Sequence, residues 1–240
     1  MKTALITGAN KGIGFETAKQ LLQKGYHVFI TARDEAKGEQ ALEQLKRRGF
    51  LNISFVQMDV ASPSSNLQAK ENIAAQIKSL DVLVNNAGIR GNGPQAPSVI
   101  AIEDVRRVFE TNFFGVIQVT QAFMPLLKLS AEPRIVNVTS DLASLTLHND
   151  PSWRYYAFKG AAYGPSKTAL NAYTVSLAYE LRDTPFKVNA VNPGYTKTDF
   201  NENRGTKTAE DAAQIIVQYA TLGNDGPTGK FISDYGESPW

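Results

Sequence analysis

Seven short apolar runs recur along the chain, at Ala4–Ile6, Val28–Thr31, Ile53–Met58, Val82–Val84, Ile135–Val138, Val188–Val191 and Phe231–Ile232. They are continuously apolar rather than alternating, the pattern of parallel strands covered on both faces. Helical stripes lie between them. Ile13, Ala18, Leu21 and Leu22 share one face and stop at Gly25; Ala41, Leu42 and Leu45 share another and stop at Gly49. A glycine just past the last turn is a helix C-terminal signal. Thr208-x-x-Asp211 reads as a capping box, with Asp in place of Glu, ahead of Ile215, Ile216 and Tyr219. Strands and helices in strict turn predict a right-handed wind: one doubly wound α/β parallel sheet of about seven strands, helices on both faces, in a single domain over residues 1–240.

Composition narrows the function classes. Hydrophobic residues are 42% and charged residues 20%, with 18 Gly and 11 Pro, which excludes a disordered or collagen-like chain. Twenty-five Lys and Arg against 23 Asp and Glu leave a formal charge of +2, so there is no global electrostatic footprint for nucleic acid or anionic lipid. Cysteine is absent, which removes a disulfide scaffold, a thiol nucleophile and Cys-ligated zinc. His27 and His148 are far apart and have no ligand pattern around them, so no metal is expected. No apolar run approaches the ~18–20 residues of a membrane span, and Ala4-Leu5-Ile6 is too short for a signal peptide. A soluble cytoplasmic protein is the expectation.

The first apolar run leads into Thr7-Gly8-Ala9-Asn10-Lys11-Gly12-Ile13-Gly14. Glycines there permit a tight turn and a close approach of backbone to a pyrophosphate seated on the N–H groups that open the next helix. A glycine-rich turn also serves plain strand-to-helix connections; its place after the first strand of a βαβ unit favours a nucleotide. The spacing resembles the short-chain dehydrogenase/reductase family. Further motifs follow in that family's order: Asp59-Val60, Asn85-Asn86-Ala87-Gly88, Asn112, Ser140, Tyr163-x-x-x-Lys167 and Pro193-Gly194. The resemblance covers essentially the whole chain and implies a Rossmann-type fold. It also implies that Gly8, Asn10, Lys11, Gly12, Ile13 and Gly14 cradle the pyrophosphate. Asp59 and Val60 would hold the adenine edge, with Asp59 accepting from the exocyclic amine, while Asn85, Ala87 and Gly88 would lie against the adenosine ribose. Pro193, Gly194 and Thr196 or Thr198 would meet the carboxamide.

The end of the second strand reads Thr31-Ala32-Arg33-Asp34, with no carboxylate at position 32. An acid there would hold the ribose hydroxyls of NAD and repel a 2′-phosphate. Arg33, with Lys11 from the glycine loop, favours NADPH; the alternative is that Asp34 turns inward to take a ribose.

Tyr and Lys one helical turn apart share a face. A Lys ammonium about 4 Å from a phenol is worth ~4 kcal/mol at an effective dielectric near 20, enough to bring the phenol toward neutrality. Two such pairs occur, Tyr155…Lys159 and Tyr163…Lys167. The second runs into an amphipathic stretch through Leu170, Tyr173, Leu177 and Leu181; the first is followed by Gly160. Tyr163 is therefore the expected proton donor. Ser140, closing the fifth strand, would polarise a carbonyl, with Thr139 as a neighbouring alternative. By resemblance, Lys167 binds the nicotinamide ribose and Asn112 holds a water that positions Lys167.

Asn10–Gly14, Thr31–Asp34 and Gly226-Pro227-Thr228-Gly229-Lys230-Phe231 are similar to the NADPH-dependent carbonyl reductase branch, which takes small ketones, aldehydes and quinones. Ser140 and Tyr163 are 23 positions apart, longer than the usual family spacing. Monomeric carbonyl reductases carry a still longer insertion, so monomer or homo-oligomer stays open. The extra segment, about residues 145–160, holds Trp153, Tyr155, Tyr156 and Phe158, which either line the pocket or serve as core. Ser140, Trp153 and Tyr195 are the residues expected to face a small-molecule carbonyl substrate. The short stretch Phe200–Lys207 would leave one side of the pocket open to bulky substrates. Two other functions remain: an NAD-dependent alcohol or steroid dehydrogenase, and a non-catalytic NADP-sensing or scaffold protein.

Overall fold

The computed structural model describes residues 1–240. Every apolar run becomes a strand: β1 (Thr3–Ile6), β2 (His27–Ala32), β3 (Ile53–Gln57), β4 (Val82–Asn85), β5 (Arg134–Val138), β6 (Lys187–Val191) and β7 (Phe231–Ser233). They form one sheet in the order β3-β2-β1-β4-β5-β6-β7, all parallel. An eighth strand, β8 (Gly236–Glu237), folds back antiparallel on β7. β8 leaves no apolar signal in the sequence, because its two residues, Gly and Glu, are exposed.

Period-two alternation splits the core. Ala4, Ile6, Val28, Ile30, Val82 and Val84 face one layer, made by α1 (Gly12–Gln23), α2 (Glu35–Arg47) and α8 (Ala209–Ala220). Leu5, Phe29 and Leu83 face the other, made by α3 (Pro63–Ala74), α5 (Gly115–Leu127) and α7 (Tyr163–Glu180). α4 (Ile102–Phe109) precedes α5, and a single turn, α6 (Leu145–His148), lies in the inserted segment.

Gly25 and Gly49 take left-handed conformations (φ 81° and 91°) just beyond α1 and α2, as their positions predict. At α8 the capping box is incomplete. Thr208 accepts from Asp211 N (3.0 Å), but the Asp211 carboxylate meets the Thr208 hydroxyl (2.6 Å), being one methylene shorter than Glu. Asn112 lies not in a regular helix but in a π-helical turn, Glu110–Phe114, that joins α4 to α5, with Gly115 N donating to Glu110 O. Such one-residue expansions gather at functional sites.

Strand order reverses between β1 and β4. In an open parallel sheet the crevice beyond the strand C-termini at that reversal is where a ligand binds. The loops after β1, β4, β5 and β6 all end there.

Candidate active site

The loop after β1 is built for close approach. Gly8 and Gly12 have φ of 62° and 60°, which L side chains rarely adopt. A Cβ on Gly14 would stand 2.4 Å from Asn86 Nδ2 and 2.7 Å from Gly8 O. Lys11 gives α1 no side-chain cap, and the N–H groups of residues 10–14 have no acceptor within the chain. A row of free N–H groups at a helix start, in a cradle that a Cβ would fill, fits a dinucleotide pyrophosphate. Ile13, by contrast, packs its side chain on the core, so only its backbone faces the cradle.

Asn86, to which the sequence reading gave no role, binds the β1 and β4 loops together. Its Nδ2 donates to Thr7 O (2.9 Å) and Gly8 O (3.0 Å), while Asn86 N and Ala87 N both donate to Thr7 Oγ1 (2.9 Å each). The Asn85 side chain does not face the crevice, which leaves only its backbone to an adenosine. Its side chain is buried on the α5 side, donating to Thr120 Oγ1 (3.2 Å) and Asn137 Oδ1 (2.8 Å). Strand alternation sends it inward with Leu83. Ala87 and Gly88 stay at the rim, half-buried. Val60 also turns its side chain into the core, so only its backbone is left for an adenine; Asp59 is half-buried, with Oδ1 taking Ala61 N (3.0 Å).

Arg33 is exposed at the end of β2. Asp34 is committed elsewhere: it caps α2, accepting from Lys37 N (3.0 Å), so it does not turn inward toward a ribose. Lys11 is paired with Asp199 (2.8 Å), a residue that follows β6. Thr198 lies over the glycine loop, its Cγ2 3.4 Å from a Cβ built on Gly12. Thr196 is buried with its hydroxyl donating to Gly194 O (3.0 Å), which leaves Thr198 as the threonine facing the cleft. Pro193 O accepts from Lys207 Nζ (3.3 Å), and Gly194 is left-handed (φ 83°). On the far side Glu202 meets Arg90 (3.4 Å), so the segment after Thr198 is tied to both banks of the cleft.

Tyr163 opens α7 and is half-buried, with its phenol near the Ser140 hydroxyl. Burial pushes the phenol up to about 12, with the nearby Ser140 hydroxyl opposing it. Lys167, one turn on, is enclosed, and burial pulls its ammonium down to about 8. Its Nζ donates to Val138 O (2.8 Å) and lies 6.0 Å from the Tyr163 ring centroid. The expectation of a phenol brought toward neutrality is therefore corrected. Desolvation of the phenolate outweighs a cation that is itself penalised for charge and faces the strand.

Asn112 is fully buried, Oδ1 accepting from Ile89 N (2.8 Å) and Nδ2 donating to Ile89 O (2.9 Å) and Ser166 Oγ (3.0 Å). Ser166 Oγ in turn donates to Tyr163 O (2.7 Å). The Asn112 side chain thus ties the β4 loop to α7 and makes no direct hydrogen bond to Lys167, whose Nζ goes to Val138 O. Thr139 is no alternative to Ser140, because its hydroxyl is buried on Asn171 Oδ1 (2.8 Å).

The Tyr155…Lys159 pair opens no helix; Lys159 Nζ lies over the Tyr156 ring (4.1 Å). The inserted aromatics are not core. Trp153 is half-buried, Tyr156 and Phe158 are 40% and 60% exposed, and Tyr155 faces Tyr195 edge-on at 6.2 Å. Trp153 packs between His148 (5.1 Å) and Tyr155 (5.5 Å). Phe200, which the sequence gave no reason to single out, sits 5.4 Å from the Tyr163 ring. Phe200 thus gives the cleft an aromatic border beside Tyr163, and Tyr155 and Tyr195 form a second aromatic pair on the segments that flank it. No helix is long and apolar enough to cross a membrane, and no cluster of metal-ligating residues exists.

Comparison with known proteins agrees with this geometry. A family model described as short chain dehydrogenase matches residues 2–209. A (+)-neomenthol dehydrogenase from Capsicum annuum is 35% identical, with 95% of this chain and 94% of that protein covered. The structure of salutaridine reductase from Papaver somniferum superposes with a TM-score of 0.84 at 33% identity, covering 98% of this chain and all (100%) of that one. An NADPH-bound carbonyl reductase from chicken fatty liver gives 0.85 at 27% identity, covering 100% and 99%.

Proposed function

The chain belongs to the short-chain dehydrogenase family, and on that premise we propose that it reduces the carbonyl group of small ketones, aldehydes or quinones to alcohols with NADPH. The observation that carries this reading is the juxtaposition of the Ser140 and Tyr163 hydroxyls, one turn from the enclosed Lys167, beside a cleft floored by free N–H groups. The bound nicotinamide supplies the hydride. Gly12, Ile13 and Gly14 would offer their N–H groups to the pyrophosphate, and Thr198, beside Gly12, would close over the bound cofactor. Ser140 orients the carbonyl oxygen, and Tyr163 donates its proton there as negative charge develops. A phenol held near 12 stays protonated at neutral pH and so is available as the acid. Lys167, enclosed one turn away, gives the site its positive charge below about pH 8.

NADPH is favoured over NADH because Arg33 is free at the end of β2 while Asp34 is occupied as a helix cap. Arg33→Asp is expected to weaken NADPH by ~100-fold, since it removes a charge-assisted bond and adds repulsion, and NADH by no more than ~3-fold. Equal losses for both cofactors, measured by fluorescence titration, would overturn the assignment. The reaction itself is tested by following NADPH and NADH oxidation against aryl ketones, α-keto esters, quinones and aldehydes. Faster oxidation with NADPH is expected. Tight cofactor binding without turnover across that panel would restore the sensor reading, and a preference for NADH the dehydrogenase one.

The aromatic border fits flat or cyclic carbonyl compounds, which stack without needing a charged partner. Trp153→Ala is expected to reorder a ketone series by about 5- to 10-fold in kcat/KM through the displaced Tyr155, with the melting temperature nearly unchanged. A large melting loss with the ranking intact would make Trp153 a packing residue only.

A further inference from the structure

α7 begins without a cap of its own. Its N-cap is Ala162, which has no side-chain acceptor for the orphan N–H groups of the first turn. Tyr163 N instead finds Gln95 Oε1 at 3.3 Å, from 68 positions upstream. The other end of the same amide donates to Arg90 O (2.6 Å), and the Gln95 carbonyl accepts from Ala161 N (2.9 Å). Two glycines make the slot: a Cβ on Gly160 would lie 2.8 Å from Oε1 and one on Gly91 3.2 Å from Nε2. The slot needs a neutral group that accepts on one side and donates on the other, and glutamine has both functions.

Arg90 follows Ile89, whose N–H and carbonyl are both held by Asn112. Gln95 therefore joins the loop that leads out of the dinucleotide crevice to the very residue that starts α7. Helix ends fray, and here the residue at the frayed position is the one whose hydroxyl must meet Ser140.

We propose that Gln95 is a positioning residue for Tyr163, capping α7 from outside so that the phenol stays beside the Ser140 hydroxyl. The proposal rests on the reading of Tyr163 as the proton donor. Gln95→Met keeps the volume and removes both bonds. Gln95→Glu keeps the acceptor toward Tyr163 N and loses the donor toward Arg90 O. Gly160→Ala crowds the amide from outside and leaves Gln95 itself intact.

Loss of alignment by a fraction of an ångström lowers a proton transfer by about tenfold or more. Gln95→Met and Gly160→Ala are expected to lower kcat by about 10-fold, with NADPH affinity and melting temperature close to wild type. Gln95→Glu keeps one of the two bonds and sets an oxygen against Arg90 O, so it should recover only part of that loss. In all three variants the loss should fall on kcat, with KM for the ketone within about twofold of wild type. A purely structural residue would lower the melting temperature instead. Wild-type kcat in both Gln95→Met and Gly160→Ala, or a melting loss that accounts for the fall in kcat, overturns the proposal. Tyr163→Phe run in parallel separates the two layers. If it still turns over, the proton-donor reading fails; if it is inert while Gln95→Met runs at the wild-type rate, only the role of Gln95 fails.

Discussion

Tyr163→Phe is expected to lower turnover by ~10³-fold and to leave NADPH affinity within about twofold, since a positioned general acid contributes ~10²–10⁴. The substitution removes one oxygen. The ring keeps its contact with Phe200, and the main chain of residue 163 keeps Ser166 and Gln95. The hydroxyl left behind is that of Ser140, already accepting from Leu142 N at 3.2 Å in the 3₁₀ turn that follows β5. It can orient a carbonyl but has lost its partner for proton delivery. Steady-state rates with a saturating ketone, alongside a cofactor titration, decide the matter. Turnover within tenfold of wild type would show that the proton comes from elsewhere.

Lys167→Met should act on two observables in opposite directions. Turnover is expected to fall by ~10²-fold or more, because the site loses its one enclosed cation. Stability should rise. Burial holds the ammonium near 8, below the 10.5 of an exposed lysine. Between those values the unfolded chain binds a proton that the folded chain has released, so wild-type stability increases with pH across that window. Below about 8 both states are protonated, and the full penalty for enclosing the charge is in force. At 1.36 kcal/mol per pH unit the penalty is ~3 kcal/mol, offset by about 1 kcal/mol for the bond to Val138 O and by the cost of leaving that carbonyl bare. A net gain of roughly 1–2 kcal/mol corresponds to a melting temperature ~2–8 °C above wild type at pH 7. The advantage should shrink toward pH 10 as wild type sheds its penalty. A variant that melts below wild type at pH 7 would contradict an enclosed, penalised ammonium.

Much of this was legible in the chain itself because it is encoded locally. Continuous apolar runs mark strands covered on both sides, and Gly25 and Gly49 close their helices in left-handed conformations as read. The glycine turn after β1 and the Tyr163–Lys167 spacing each sit within a few residues, so their geometry follows from backbone periodicity. Where partners are far apart in sequence, legibility ends. Asn85 and Asn86 look interchangeable on paper; strand parity buries the first against α5 and leaves the second to stitch two loops. Nothing near Lys11 announces Asp199, and nothing near Tyr163 announces Gln95. The ionisation of the phenol was misjudged for a related reason. A pairwise charge is visible in a motif, whereas the desolvation that dominates comes from every element packed around it.

The turn at Glu110–Phe114 carries one residue more than an ordinary helical turn needs. Deleting any one of the four besides Asn112 would let α4 and α5 run on as an unbroken rod from Ile102 to Leu127. Each residue of a regular helix advances the screw by about 100°, so the shortened rod could present Asn112 to Ile89 or bury Val119 and Phe123 against the sheet, but not both. Chain length at this spot is thereby a phase adjustment between the crevice and the hydrophobic layer, and a single-codon loss here should do more harm than most exchanges of one side chain for another.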